Sequence, residues 1–193
     1  GQADKDRKTP LYEMEVGSGG GLFTKELERA LLENRIDLAV HSLKDLPTLQ
    51  PPELKVACIP EREDASDCLV IRAGSSMGWP VAEGTKVGTS SLRREALVLK
   101  HSPKACIYPL RGNVPTRLEA VRSGKLDAIL LASAGLNRLK LDLEGLVRVP
   151  LAENVFVPAP GQGALAVETR QDIAPEVVSA LLCFHSSRVE TEV

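Results

Sequence analysis

Apolar residues recur along this chain in two spacings, and the two alternate. Phe23, Leu27, Ala30 and Leu31 fall at i, i+4, i+7 and i+8, one stripe of a helix over about 24–34. Residues 36–40 form a short apolar run with β-branched ends, read as a buried strand, and 55–59 and 68–71 read the same way. A strand over 86–88 stops at Thr89-Ser90, which can cap a helix running to about 100. A strand over 105–110 follows, then a helix from Pro115 that Gly124 stops. Residues 127–132 form a strand and 133–139 a short helix; 155–157 and 164–168 are strands, and Pro175 opens a last helix to about 182.

Strands alternating with helices predict an α/β fold with mainly parallel sheets flanked by helices. The polar stretch Pro60-Glu61-Arg62-Glu63-Asp64 reads as a crossing between two lobes, and Pro158-Ala159-Pro160 as the return. This gives a first lobe from residues 1–63 and 160–193 and a second from 64–159. Sheets of this kind bind ligands beyond the carboxyl ends of their strands. Three polar groups fall there: Ser42-Lys44-Asp45, Thr89-Ser90-Ser91 and Arg111-Gly112-Asn113.

Composition narrows the partners. With 43% apolar and 26% charged residues the 193-residue chain is an ordinary globular one. No apolar run approaches the ~20 residues of a membrane span, and the polar start from Gly1 to Lys8 has no signal-peptide core. Cys58, Cys68, Cys106 and Cys183 have no metal-ligand spacing and read as buried apolar thiols of a reducing compartment, the cytoplasm. Nine basic residues against three acidic ones between Thr89 and Arg138 give that block +6 in a chain of net charge −2. With 3% aromatic residues and a pI near 6.0, nucleic acid is a poor match and a small polyanion a better one.

The candidate chemistry follows that charge. Gly88-Thr89-Ser90-Ser91 puts hydroxyls and backbone N–H groups at a helix N-terminus, which suits an anion, although plain capping uses the same residues. Arg93 and Arg94 follow in the first turn, where cations oppose the helix dipole unless they hold an anion. Arg111 and Arg117 can grip carboxylates bidentately, with Gly112 letting backbone approach a ligand. Arg138 follows a further strand and fits the same role. Replacing Arg94 or Arg111 with Leu is expected to leave the fold intact. In His41-Ser42-Leu43-Lys44-Asp45 the acid–base candidate is Asp45; a plain Lys–Asp ion pair and a structural His41 are the bland readings. Gly17 to Gly21 fits no phosphate-loop pattern and reads as a flexible loop or lid.

Five runs in fixed order carry a more specific signal: Gly21 to Glu28, His41 to Pro47, Gly88 to Arg94, Arg111-Gly112-Asn113 through Thr116-Arg117, and Gly161-Gln162-Gly163-Ala164. Together they resemble the porphobilinogen deaminase family across nearly the whole chain. The resemblance implies a two-lobed fold like the type II periplasmic binding proteins, with a third domain. It implies a cytoplasmic monomer that joins four porphobilinogen molecules into hydroxymethylbilane with release of ammonia, starting on a covalently held dipyrromethane cofactor. It assigns Asp45 as catalytic carboxylate. Ser42, Lys44, Thr89, Ser90, Ser91, Arg93, Arg94, Arg111, Gly112, Arg117 and Arg138 would hold the carboxylates of cofactor and substrate. Phe23 would close over the cleft, and Gln162 would lie near the lobe junction. The family's opening strand and helix are expected before Gly1, and its cofactor-bearing cysteine after Val193, so the chain by itself is expected to be inactive. A two-lobed carboxylate-binding protein without catalysis is the alternative, and it leaves Lys44-Asp45 unexplained.

Overall fold

The computed structural model describes residues 24–192, so Phe23 and the glycine-rich stretch before it lie outside the described residues. In chain order the elements are α1 (Lys25–Leu32), β1 (Leu38–Ser42), a 3-10 turn (Leu43–Asp45), β2 (Leu54–Cys58), β3 (Asp67–Arg72), β4 (Lys86–Gly88) and α2 (Leu92–His101). They continue with β5 (Cys106–Tyr108), α3 (Val114–Arg122), β6 (Ala128–Ala132), α4 (Ser133–Leu139), β7 (Leu146–Pro150), β8 (Leu165–Arg170), α5 (Pro175–Leu182) and α6 (Ser187–Glu192). The chain divides into two compact units, one from residues up to Glu63 together with Pro160 onward, the other Asp64–Ala159.

The first unit holds a three-stranded sheet in the order β1-β8-β2, and the second a five-stranded sheet in the order β5-β4-β6-β3-β7. Both are mixed. β8 runs antiparallel to β1 and β2, and β3 antiparallel to β6 and β7, while β4 is parallel to β5 and β6. The α/β class stands, but the mainly parallel pairing is corrected. Its cause is topological. A strand delivered by a helical crossover must run parallel to the one before it. β3 and β8 are each the first strand after the chain enters a unit, so neither meets that demand. Each reversed strand then lies inside its sheet, where it has two antiparallel neighbours.

The inner strands β3 and β6 of the second sheet are buried on both faces, which is why they read as continuous apolar runs. Cys68 and Val70 of β3 pack on one face with Leu118 and Val121 of α3; Leu69 and Ile71 pack on the other with Val98 of α2 and Phe156. Gly88 ends β4 in a slot that admits no side chain, since a Cβ there would stand 2.5 Å from Leu126 Cδ1. In the first unit α1 covers one face through Leu31, which packs with Ala39 and Leu54. Among the described residues no helix is long and apolar enough to cross a membrane.

Three expectations about elements and thiols are revised. Residues 155–157 form no strand but the end of a turn, closed by Phe156 N–H on the Ala152 carbonyl, and the strand of this region is β7, 146–150. β7 is an edge strand, half exposed and ended by Pro150, so it lacks the apolar run of an interior strand. The helix after Thr89-Ser90 is capped one residue later, by Ser91. Of the four cysteines Cys58 and Cys68 are buried, but Cys106 and Cys183 are exposed because they end up on an edge strand and past a helix end.

The segments that join the units are tied down within each. In the first unit Arg62 Nε donates to the Gln162 carbonyl at 2.9 Å and Glu63 N–H to that of Gly163 at 3.1 Å. Hydrogen bonds from Ser186 and Arg188 hold the Glu61 carboxyl below the usual range. In the second, burial alone would raise Asp64, but Ser66 and Arg148 outweigh it and lower its carboxyl.

Candidate functional site

In the first unit the candidate residues sit where β1 ends. Its last residue, Ser42, is exposed, and the 3-10 turn follows with Lys44 half-buried and Asp45 exposed. The return segment cradles this turn. Leu43 N–H donates to the Ala164 carbonyl at 3.0 Å. Gly161, at φ +68, packs so close that a Cβ would meet Leu43 Cγ at 3.1 Å and Lys44 N at 3.2 Å. Gln162 is fully buried and its Oε1 accepts from Lys44 Nζ at 3.1 Å. The Lys44 ammonium is thus aimed by a neutral group, which orients it without cancelling its charge. Behind the turn His41, nearly buried, has Nε2 3.1 Å from Oε2 of the fully buried Glu168.

In the second unit the three hydroxyls mostly build their own loop. Thr89 Oγ1 accepts from Ser91 N–H, and Ser91 Oγ caps α2 through Arg94 N–H. Ser90 Oγ bonds both the carbonyl and the N–H of Leu110, tying the loop to the end of β5. Asn113 caps α3 through Thr116 N–H. Arg117 Nε donates 2.7 Å to the carbonyl of Gly112, whose φ of +107 suits glycine. Arg111 and Arg117 are half-buried, and Arg138 is exposed in the last turn of α4.

Arg93 and Arg94 part company. Both meet Asp67, the first residue of β3, which has no exposed surface: Arg93 Nη2 lies 2.7 Å from Oδ2 and Arg94 Nη2 2.7 Å from Oδ1. Arg94 Nε also donates to Oδ1 and its Nη1 to the Leu130 carbonyl, and only 8% of its side chain is exposed. Arg93 keeps 25% exposed and lies over the Phe156 ring, 6.0 Å from its centroid. Phe156 in turn meets Trp79 edge-on. An adjacent Arg pair in a first turn therefore needs no bound anion to explain it, because Asp67 already faces the pair. Sequence reasoning passed over Asp67, although a lone acid heading Asp-Cys-Leu-Val-Ile is a visible signal. The same applies to Glu168, buried in β8, and to Arg170, whose Nη1 takes the carbonyls of Leu31 and Ile36 at the end of α1.

These contacts overturn the expectation that Arg94→Leu spares the fold. The change strips both donors from Asp67 Oδ1 and leaves the buried carboxylate to Arg93 alone, a loss of about 3 kcal/mol, the low end for a broken buried pair. Arg93→Leu leaves Arg94 on Asp67 and costs less than half as much. Urea unfolding of the two variants checks the order, with Arg94→Leu the less stable by at least ~1.5 kcal/mol.

The sequence as a whole has close relatives. The family model described as porphobilinogen deaminase, dipyromethane cofactor binding domain, matches residues 1–176. The porphobilinogen deaminase of Caulobacter vibrioides is 50% identical over 171 residues, 88% of this chain and 52% of its own length. That of Deinococcus radiodurans is 42% identical over 182 residues, covering 93% and 58%. A probable porphobilinogen deaminase of Methanosarcina barkeri is 40% identical over 190 residues, covering 98% and 58%. The chain thus spans a little over half the length of these relatives. The fold is also shared with solved domains at low identity. The Bordetella pertussis BvgS periplasmic VFT2 domain matches with TM-score 0.51 at 16% identity, over 88% of this chain and 73% of its own. The BenM effector binding domain with benzoate matches with TM-score 0.53 at 14%, over 83% and 76%. On the match to residues 1–176 and on identities of 40–50%, this chain belongs to the porphobilinogen deaminase family.

Proposed function

We propose that this chain supplies the cofactor- and substrate-binding units of a porphobilinogen deaminase, which joins four porphobilinogen molecules into hydroxymethylbilane and releases ammonia at each step. The observation that carries this reading is the turn after β1, where an exposed Asp45 stands next to a lysine aimed by a buried glutamine. An ion pair on a solvated face needs no such support. A negative carboxylate fixed at that place stabilises positive charge on a pyrrole as its amino group leaves, and can hold the departing proton.

The donors of the chain suit a ligand with several carboxylates. Lys44 offers an ammonium, and Arg93, Arg111 and Arg117 offer half-buried guanidinium groups. Of the neighbouring pair, Arg93 reads the anion and Arg94 is its buried support, since only Arg93 keeps exposed surface of any size. Ser42, Thr89, Ser90, Ser91 and Gly112 follow strand ends of their own units, Arg138 lies in the last turn of α4, and Gln162 acts through Lys44. A dipyrromethane group carries such carboxylates, and when bound it supplies the pyrrole onto which the product grows. Its covalent anchor is not among the four cysteines. Burial raises the thiols of Cys58 and Cys68, which disfavours the nucleophilic thiolate, and none of the four lies in a glycine-rich loop. The enzyme works in the cytoplasm as a monomer, in keeping with four unpaired cysteines. A carboxylate-binding protein without catalysis shares the fold, but identities of 40–50% to deaminases outweigh likenesses of 14–16%.

Two outcomes follow. In a chain of the relatives' full length carrying this sequence, Asp45→Asn lowers kcat for porphobilinogen roughly a hundred- to a thousand-fold while substrate still binds. Turnover within a few-fold of wild type would make Asp45 structural only. A polypeptide of these 193 residues alone shows its plain mass, no colour with a dipyrromethane reagent and no bilane from porphobilinogen. A covalent adduct on any of Cys58, Cys68, Cys106 or Cys183, with turnover, would contradict this.

A further inference from the structure

We propose that the buried His41–Glu168 pair is a positioning device that sets the register of β1 on β8 and thereby places Lys44 and Asp45. The proposal rests on the deaminase reading for its kinetic consequence, but not for its structural one.

The pair is an odd choice for holding a sheet together. Glu168 has no exposed surface and His41 only 7%, and Glu168 Oε1 has no hydrogen-bond partner among the described residues. Well-packed apolar side chains would serve stability at least as well as a half-satisfied polar pair. What apolar packing does not supply here is register. In β1 Ala39 and His41 face the core while Leu38, Val40 and Ser42 are exposed. A slip of one residue would turn that pattern inside out, so patterning forbids it. A slip of two residues keeps every residue on its own face, and patterning is blind to it.

The polar pair is not. Glu168 stands opposite Ala39 in the β1–β8 ladder, with His41 on its diagonal. A two-residue slip that brings Asp37 opposite Glu168 would carry His41 away and leave a buried carboxylate with its histidine gone, whereas the opposite slip keeps His41 across from Glu168, so the pair guards the register in one direction. The far side of β8 gives no help, because β2 already changes register between Val56 and Cys58. From the pair the ladder runs without a break to the site. His41 is opposite Ala166, Ser42 opposite Leu165, Leu43 N–H bonds the Ala164 carbonyl, and Lys44 Nζ bonds Gln162. A two-residue slip would move Lys44 and Asp45 about 6.7 Å along the strand and undo the last two contacts.

The test compares an apolar pair, His41→Leu with Glu168→Leu, against Glu168→Gln, which keeps an acceptor for His41. Amide exchange of Leu43 can be read on the 193-residue chain, and kcat and KM in the full-length protein. The apolar pair is expected to unfold at no lower urea than wild type. It should nevertheless exchange Leu43 N–H at least tenfold faster and lose at least tenfold in kcat with KM moved less. Glu168→Gln should stay within about threefold of wild type in both. Wild-type Leu43 protection and kcat in the apolar pair would overturn the proposal, as would a Glu168→Gln variant as impaired as that pair. If the apolar pair does not fold, His41→Gln is read against the same two thresholds, with the same meaning. Failure of the wild-type protein to make bilane would sink the deaminase reading, and Leu43 exchange would still decide this one.

Discussion

A carboxylate sealed from water needs compensating charge and hydrogen bonds, and Asp67 is sealed completely. It heads β3, the reversed strand inside the second sheet, so its place is fixed by the backbone of that sheet. Two arginines come to it from the first turn of α2, against the preference of a helix N-terminus for negative charge. The result is directional. Arg94 is drawn inward, with one end on Asp67 and another on the Leu130 carbonyl, while Arg93, which bonds Asp67 through Nη2 and the Val157 carbonyl through Nη1, keeps a quarter of its side chain exposed. A guanidinium clamped on one side by a carboxylate and covered by the Phe156 ring cannot wander, and a fixed donor loses less entropy on binding an anion.

The first unit solves a related problem with a neutral group. There the reversed strand is β8, and the buried side chain just before it is Gln162, which turns its Oε1 to Lys44. In both units, then, the segment entering a reversed strand carries a buried polar side chain that aims a cation at the end of a neighbouring element. The difference matters for charge. Asp67 removes part of the positive charge that the Thr89–Arg138 block carries, whereas Gln162 is neutral and removes none from Lys44.

Much of this was legible in the sequence, and the rest was not for identifiable reasons. The helix stripe through Ala30 and Leu31 and the apolar run of β6 gave their elements directly, because periodicity reports burial. The polar groups after β1, β4 and β5 were visible as breaks in that pattern. Strand direction was not, since it depends on how the chain enters each unit and leaves no mark on residue spacing. β7 was missed because an edge strand exposes alternate residues and lacks an apolar run. The partners of Arg94 and His41 lie 27 and 127 residues away, beyond the reach of any local pattern. Counting charge by segment found the basic block, but Asp67 lies outside the segment and inside the cluster.

The central claim is that Asp67 splits two adjacent arginines into one that supports and one that reads an anion. Nitrogen-15 spectra of the arginine side chains, followed while porphobilinogen is added, test it without altering any residue. The Arg93 signal should shift in a saturable way, while that of Arg94 stays fixed by Asp67 and Leu130. A shift of Arg94 equal to that of Arg93, or a silent Arg93 beside other responding arginines, would contradict the account.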